Sequence, residues 1–307
     1  MGKYVIGVDV GGTNIKLGLA DARLNVIDRT KFATECFASD PTFLINEIAK
    51  QISSLIERNA ISDRNISGIG IGLPGIVDHS KGIVRFLPNI SGWKDIPLKK
   101  ILEKKLGIRA CLENDVNLIA LGEWKFGAGR KVENMVCMTL GTGVGSGLIL
   151  NGSLYRGYSF SAGELGHIPI NEEGPVCGCG SYGCLESYVG NKRLVLRASE
   201  MINDPDISLE KMHALAKKGN RTALKFWDEA ATHIGHALVG VVNMLNPQRI
   251  VIGGGVSNNH EFLFKTIHAV IQKKAMKVPA SVVKIVRAQL GNDAGILGAH
   301  VLVHEHK

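Results

Sequence analysis

Short apolar runs separated by turns make up the first third of the chain, with amphipathic stretches between them. Runs of β-branched and small apolar residues predict buried strands over residues 4–10, 15–20, 66–73 and 108–112. Apolar residues at three- and four-residue spacing predict helices over residues 41–59, 97–106 and from about 115 onward. Strands and helices therefore alternate in this part of the chain.

A scheme of strand, glycine–threonine turn and strand occurs twice. Residues 136–150 repeat the pattern of residues 5–19, with glycines at matching points. Farther on, a buried helix over 224–245 precedes a strand over 249–252. Alternating strands and helices predict an α/β fold with mostly buried sheets. The weak internal repeat predicts two similar lobes that face a cleft.

The chain has 307 residues, 45% hydrophobic and 21% charged, which is an ordinary globular composition and enough for two lobes. It has no run of about 18 apolar residues, so we expect no membrane span. Residues 1–5 lead straight into a strand and leave no room for a signal peptide, which predicts a cytoplasmic protein. The net charge of +8 is dispersed in lysine pairs, so we expect solvated helix faces rather than a nucleic-acid surface.

The first glycine–threonine turn follows an acidic residue at the end of a strand. Gly11 and Gly12 allow backbone N–H groups to close on a phosphate, and Thr13 adds a hydroxyl donor. Asp9 is suited to hold Mg²⁺ through water, because that ion retains its water ligands. A plain β-hairpin explains this pentapeptide equally well.

The second turn is richer in glycine, with four glycines over residues 141–147. Because glycine loses much conformational entropy on folding, a purely structural cause is less favoured here. We therefore expect Gly141, Thr142 and Gly143 to hold phosphate. Gly254 and Gly255, which follow a strand, suit close approach to the flat face of a nucleoside. The chain lacks the P-loop pattern G-x-x-x-x-G-K-[ST]. The dinucleotide pattern G-x-G-x-x-G is not matched by the second turn either, so the sequence argues against both P-loop and Rossmann nucleotide sites.

One histidine and three cysteines have metal-ligand spacing. His167, Cys177, Cys179 and Cys184 give the pattern H-x9-C-x-C-x4-C. Three thiolates and one imidazole form the closed tetrahedral shell of a structural zinc site; the alternative is three free cysteines near an unrelated histidine. Zinc would fix the segment 164–186.

The predicted zinc segment begins and ends on a carboxylate. Glu164 and Glu186 would be held near one point, and carboxylates accept hydrogen bonds from the paired hydroxyls of a sugar ring. Asn114 and Asp115 stand where a strand ends and a helix begins, so either one can cap that helix. Beside a phosphate site, Asp115 also suits a general base for a sugar hydroxyl, and Asn114 and Asn89 suit its ring hydroxyls.

Together these motifs resemble the ROK family of repressors and sugar kinases, within the actin-like/hexokinase superfamily. The matching segments are Asp9–Thr13, Leu73–Gly75, Pro88-Asn89 with Gly92-Trp93, Glu113–Asn117, Leu140–Gly147, Gly163–His167, Cys177–Glu186 and Gly253–Ser257. The resemblance implies two ribonuclease-H/actin-like lobes around a central cleft. The small lobe would be residues 1–113 plus a C-terminal helix over about 292–307, and the large lobe residues 114–291.

The resemblance also implies roles for individual residues. Asp115 would be the base, and the sugar would be lined by Asn89, Asn114, Asp115, Glu164, His167 and Glu186. Asp9, Gly11, Gly12, Thr13, Gly141, Thr142 and Gly143 would hold the phosphates of ATP and its Mg²⁺, with Gly254 and Gly255 near adenosine. His167, Cys177, Cys179 and Cys184 would bind zinc.

The implied activity is ATP-dependent phosphorylation of a hexose, with the 6-hydroxyl of glucose as first choice. The alternatives are N-acetylmannosamine, N-acetylglucosamine, fructose, allose or a β-glucoside. Family members commonly form dimers, sometimes tetramers, so we expect a homo-oligomer without nucleic-acid or membrane partners. Repressors of the family carry a helix-turn-helix domain before the first glycine motif, which starts here at residue 9. A non-catalytic sensor would be favoured by loss of Asp115, which is present.

Overall fold

The computed structural model describes residues 3–34, 40–87, 92–259 and 261–305. The strands are β1 (Tyr4–Val10), β2 (Asn14–Asp21), β3 (Val26–Ala33), β4 (Ile66–Leu73), β5 (Ile76–Asp78), β6 (Ile83–Phe86), β7 (Lys94–Ile96), β8 (Ala110–Asn114), β9 (Met135–Leu140), β10 (Val144–Leu150), β11 (Ser153–Tyr155), β12 (Arg249–Gly253) and β13 (Lys284–Arg287). The helices are α1 (Pro41–Arg58), α2 (Leu98–Leu106), α3 (Asp115–Phe126), α4 (Glu186–Val189), α5 (Asn191–Ile202), α6 (Leu209–Lys217), α7 (Arg221–Leu245), α8 (Glu261–Lys274), α9 (Lys277–Val282) and α10 (Ala294–Glu305).

The chain forms two compact units. The first contains Met1–Lys131, Leu154–Ala162 and Gln289–Lys307. The second contains Val132–Ser153 and Gly163–Ala288. The C-terminal helix thus belongs to the unit that contains the N-terminus.

The first unit is built on a five-stranded sheet in the order β3-β2-β1-β4-β8. β1 is antiparallel to β2 and parallel to β4, which is parallel to β8. The apolar residues of β1 and β4 are almost all buried, which accounts for their continuous apolar runs. On α1, Leu44, Ile48, Ile52 and Leu55 recur at helical spacing and complete the core of this unit.

Two glycines let helices lie very close to their neighbours in the first unit. A Cβ on Gly70 of β4 would lie 2.6 Å from the Cβ of Ala299, so α10 packs directly on the strand backbone. A Cβ on Gly298 of α10 would overlap the carbonyl of Leu118 in α3. The glycine-rich β4 run therefore provides room for α10, and α10 in turn holds α3.

The second unit has the same strand arrangement. The strands of its sheet that lie wholly within the unit have the order β10-β9-β12-β13, in which β9 is antiparallel to β10 and parallel to β12. β12 is parallel to β13. This order and these directions match the first sheet, so the structure confirms the α/β fold and the internal repeat that the sequence predicted.

Helix α7 forms much of the core in the second unit. Phe226, Trp227, Ile234 and Leu238 are buried along one side of it, and the helix ends at Asn246, which adopts the left-handed conformation. The predicted helix and its end are thus confirmed. Within the described ranges, no helix is long and apolar enough to cross a membrane.

The position of α3 differs from the sequence expectation. The sequence assigned residues 114–291 to one lobe, whereas the contacts of α3 are with α10 and β4, within the first unit. The close approach at Gly298 explains this placement, because backbone lies on backbone there. The small sheet β5-β6-β7, which follows β4, was not predicted because its strands have only three or four residues.

We expect Gly298→Ala to lower the free energy of unfolding by about 1–3 kcal/mol, since the added methyl must separate α3 from α10. The matched control is Gly240→Ala, an exposed position in α7 where a Cβ meets nothing within 4 Å. That change should raise the free energy by up to about 1 kcal/mol through helix propensity. Urea unfolding followed by circular dichroism measures both, and equal effects would contradict the packing account.

Candidate functional site

Asn114 and Asp115 mark the junction between β8 and α3 in the first unit. The Asn114 side-chain oxygen accepts hydrogen bonds from the N–H groups of Val116 (3.0 Å) and Asn117 (3.2 Å), so Asn114 caps the helix. Its Nδ2 donates to the carbonyl of Gly75 at 3.2 Å. Asp115 is half-buried in the first turn of α3, where its Oδ1 accepts from the N–H of Val116 at 2.9 Å.

The sequence analysis gave no role to two residues beside this junction, Glu113 and Arg156. The buried carboxylate of Glu113 accepts a hydrogen bond from Arg156 Nε at 2.6 Å through its Oε2. Its Oε1 accepts from the N–H of Asn114 and from Asn117 Nδ2, both at 2.9 Å. The sequence did offer one signal for Glu113, an acidic residue directly after the apolar residues Ala110–Leu112 of the same strand, because a buried charge requires a partner.

The turn after β1 forms a hairpin with β2, and hydrogen bonds to the backbone of Gly11 hold it. The N–H of Gly11 donates to the carbonyl of Asn14 at 3.1 Å, and Thr34 Oγ1 donates to the carbonyl of Gly11 at 2.8 Å. Gly12 and Thr13 are exposed. Neither Gly11 nor Gly12 has a positive φ. A Cβ on Gly11 would lie 2.8 Å from the carbonyl oxygen of Asn14, so lack of space for a side chain requires glycine at position 11.

The carboxyl of Asp9 lies beside the first turn of α10. A Cβ on Gly295 would lie 3.5 Å from both the Cβ and Cγ of Asp9, so glycine leaves room for the side chain. Burial raises the pKa of Asp9, and the nearby charge of Lys16 partly opposes this. The N-terminal end of a helix also favours a negative charge.

The second glycine turn and the glycine triplet lie together in the second unit. Within the turn, the N–H of Gly141 donates to the carbonyl of Gly143 at 2.9 Å, and Thr142 is exposed. Gly254 has a φ of +88°, and a Cβ on it would lie 2.6 Å from the nitrogen of Leu140, the residue just before the turn. Both the backbone conformation and the space require glycine at this position.

Glu186 connects the end of the cysteine segment to the second turn. Its Oε2 accepts a hydrogen bond from the N–H of Val144 at 2.8 Å. A Cβ on Gly143 would collide with the same carboxylate. A residue predicted to bind sugar therefore lies against residues predicted to hold phosphate.

The loop with Glu164 and His167 lies directly on β10. Gly163 has a φ of +94° and would place a Cβ 2.5 Å from the carbonyl oxygen of Ser146, while a Cβ on Gly166 would overlap the carbonyl of Val144. Glu164 is exposed, and its carbonyl accepts from the N–H of His167 at 3.0 Å. Both predicted sugar-binding acids thus belong to segments that contact Val144.

The four predicted metal ligands come together. The ligand atoms of His167, Cys177, Cys179 and Cys184 all lie within 4.8 Å of one another. His167 Nδ1 is 3.6 Å from the sulfur of Cys177, and the sulfurs of Cys179 and Cys184 are 3.7 Å apart. Burial raises the pKa of the Cys184 thiol to about 12. Three sulfurs and one ring nitrogen at these separations fit the donor set of a tetrahedral zinc ion.

One predicted sugar contact, Asn89, lies outside the described residues. The other predicted site residues fall into two groups, one in each unit. Those of the first unit are Asp9, Gly11, Gly12, Thr13, Asn114 and Asp115. Those of the second unit are Gly141, Thr142, Gly143, Glu164, His167, Cys177, Cys179, Cys184, Glu186, Gly254 and Gly255.

Comparison with known proteins gives matches along nearly the whole chain. The sequence profile of the ROK family matches residues 5–306. A glucokinase of Halalkalibacterium halodurans is 35% identical over 99% of this chain and 96% of its own. The crystal structure of a ROK family glucokinase from Streptomyces griseus in complex with glucose and AMPPNP has a TM-score of 0.84 and 32% identity, covering 98% of this chain and 99% of that one. A xylose repressor of Bacillus spizizenii is 31% identical over 99% of this chain and 77% of its own.

Proposed function

Because the chain belongs to the ROK family, we propose that it transfers a phosphoryl group from ATP to a hydroxyl of glucose, most readily the 6-hydroxyl. The observation that carries this proposal is its similarity to glucokinases over nearly the full length of both chains. The solved Streptomyces griseus relative binds glucose and an ATP analogue, which is the substrate pair proposed for this protein.

Asp115 is the proposed general base for the attacking hydroxyl. Phosphoryl transfer depends mainly on positioning and charge neutralisation, so the base must be held in line with the phosphoryl group. The Asn114 cap and the position of Asp115 in the first turn of α3 supply this rigidity. Asn114 and Asn89 are proposed to bind ring hydroxyls; for Asn114 the cap leaves Nδ2 as the donor, now shared with the carbonyl of Gly75.

Further sugar contacts are proposed for the second unit. The carboxylates of Glu164 and Glu186 are suited to accept hydrogen bonds from hydroxyls, and His167 can offer a hydroxyl the ring nitrogen that zinc would not use. The Oε2 of Glu186 is engaged by Val144, which fixes the orientation of the carboxylate while its Oε1 can accept from a hydroxyl.

For the nucleotide, we assign phosphate binding to the backbone of two turns, Gly11–Thr13 and Gly141–Gly143. Exposed Thr13 and Thr142 add hydroxyl donors. Gly254 and Gly255 are proposed to approach adenosine. Asp9 would hold Mg²⁺ through water, and that ion supplies positive charge that neutralises the phosphates.

The cluster of His167, Cys177, Cys179 and Cys184 is proposed to bind a structural zinc ion. The fit of its donor atoms supports this, as does the segment between them, which contains bends and turns rather than a helix. The free energy of binding zinc at such sites is on the order of 10 kcal/mol. A bound zinc ion would therefore stabilise this segment and restrict the position of Glu186, which follows it.

A second candidate function is a sugar-responsive regulator without catalysis. The xylose repressor similarity favours it, since 99% of this chain aligns with that protein at 31% identity. The two functions differ in their products: a kinase releases ADP in the presence of sugar, whereas a regulator binds the sugar and leaves ATP intact.

We expect Asp115→Asn to lower kcat for glucose phosphorylation by about 10²–10⁴-fold, because the amide cannot accept the hydroxyl proton. The dissociation constant for glucose should stay within about threefold of the native value, since the amide keeps the size and polarity of the side chain. ADP release measures the first quantity and calorimetry the second. A variant with native kcat would refute Asp115 as the base.

We expect Cys179→Ser to lose the metal, because a closed zinc shell needs all four ligands. Metal analysis by mass spectrometry should give about one zinc per native chain and far less for the variant. Cys111→Ala is the matched control, as Cys111 is a buried cysteine outside the cluster, and it should keep the zinc. Full zinc occupancy in Cys179→Ser would show that the ligand set is wrong.

A further inference from the structure

The carboxylate of Glu113 joins three parts of the first unit. Through Oε1 it holds the N–H of Asn114 at the end of β8 and the side chain of Asn117 in the first turn of α3. Through Oε2 it holds Arg156, which is distant in sequence. Asp115 therefore lies between two positions that are both fixed by one side chain.

The Glu113–Arg156 pair is enclosed. The side chains are 3% and 17% exposed, and the Nε–Oε2 distance is 2.6 Å. A buried carboxylate that loses its cation is an uncompensated charge, which takes up a proton or moves towards water. Either change would alter the contacts of Glu113 with Asn114 and Asn117, so Arg156 determines how those two residues are held.

We propose that Glu113 and Arg156 are positioning residues for the base Asp115. Neither is assigned a contact with a reacting atom; both act by holding the strand end and the helix turn from which Asp115 projects. The proposal rests on the proposed function, because it requires Asp115 to act as the base. An error of about 1 Å in the position of a reacting group can cost about 10²-fold in rate, which is why such support is needed.

Glu113→Gln and Arg156→Gln test the proposal in the full chain. The Glu113→Gln amide can still accept through Oε1 but can turn only an N–H₂ group towards Arg156, so the pair is lost. We expect kcat for glucose phosphorylation to fall about 10- to 100-fold in each variant. The KM for ATP should stay within about threefold, because the residues assigned to ATP are untouched, whereas the KM for glucose can rise with the displacement of Asn114, a proposed sugar contact that Glu113 holds.

Arg85→Gln is the matched control. Arg85 Nη2 forms an ion pair of 2.8 Å with Asp78, whose side chain is 4% exposed, and both residues belong to the first unit. Arg85 is 39% exposed, so breaking this pair should lower the melting temperature less than Arg156→Gln does, while kcat stays near the native value. A loss of kcat that is proportional to the loss of melting temperature in both Arg85→Gln and Arg156→Gln would refute a positioning role.

A double variant separates positioning from general stability. In the Asp115→Asn background the base is already absent, so adding Glu113→Gln should lower the residual kcat no further. Effects that multiply would overturn the proposal, as would a native kcat in the single variants. If Glu113→Gln does not fold, Arg156→Lys replaces it. The charge remains but the guanidinium geometry is lost, and kcat should again fall while the KM for ATP stays unchanged.

The native chain is measured first in the same assay. A native chain that phosphorylates no sugar would refute the proposed function, and this inference with it. An active native chain with unaffected Glu113→Gln and Arg156→Gln variants would refute the inference alone.

Discussion

Contact of backbone against backbone, made at glycines, is the constraint on which the candidate site of the second unit depends. Gly163 and Gly166 lie against β10, and Gly254 lies against the end of β9. The loop backbone lies against the strand backbone at Gly163 and Gly166, and Ser146 Oγ of β10 donates to the carbonyl of Gly163 at 2.6 Å, so strand geometry places Glu164 and His167. A side chain at any of these glycines would push its loop away from the strands.

Glu186 adds a second link within the same unit. It follows Cys184 by two residues and accepts a hydrogen bond from the N–H of Val144, next to the Gly141–Gly143 turn. A candidate metal site, a candidate sugar contact and a candidate phosphate turn are therefore connected through short segments. A zinc ion in the cluster would restrict the carboxylate of Glu186 as well as the cysteines.

The features that sequence alone predicted are those that depend on short, local patterns of residues. The strands β1 and β4, the helix α7 and the four-ligand cluster follow from apolar spacing or from residues crowded into a short segment. The physical reason for the glycines was only partly foreseen. Gly254 was expected at a point of close approach, and the neighbour that the structure places there is Leu140. Gly11 has no positive φ and is required by the space beside Asn14.

Features that depend on distant residues were not predictable in the same way. The pairing of Glu113 with Arg156 joins residues 43 positions apart, and nothing local to Arg156 indicates its partner. The placement of α3 in the first unit depends on Gly298, near the other end of the chain. Such contacts arise from the fold as a whole, and they support the junction where Asp115 lies.

The most direct measurement is ADP release by the native chain with ATP and Mg²⁺ on glucose, N-acetylmannosamine, N-acetylglucosamine, fructose and cellobiose. We expect turnover with the highest kcat/KM on glucose. Turnover on another sugar of the panel would keep the kinase and replace its substrate. Absence of ADP release on every sugar, with ATP and glucose both bound, would contradict the kinase and favour a regulator.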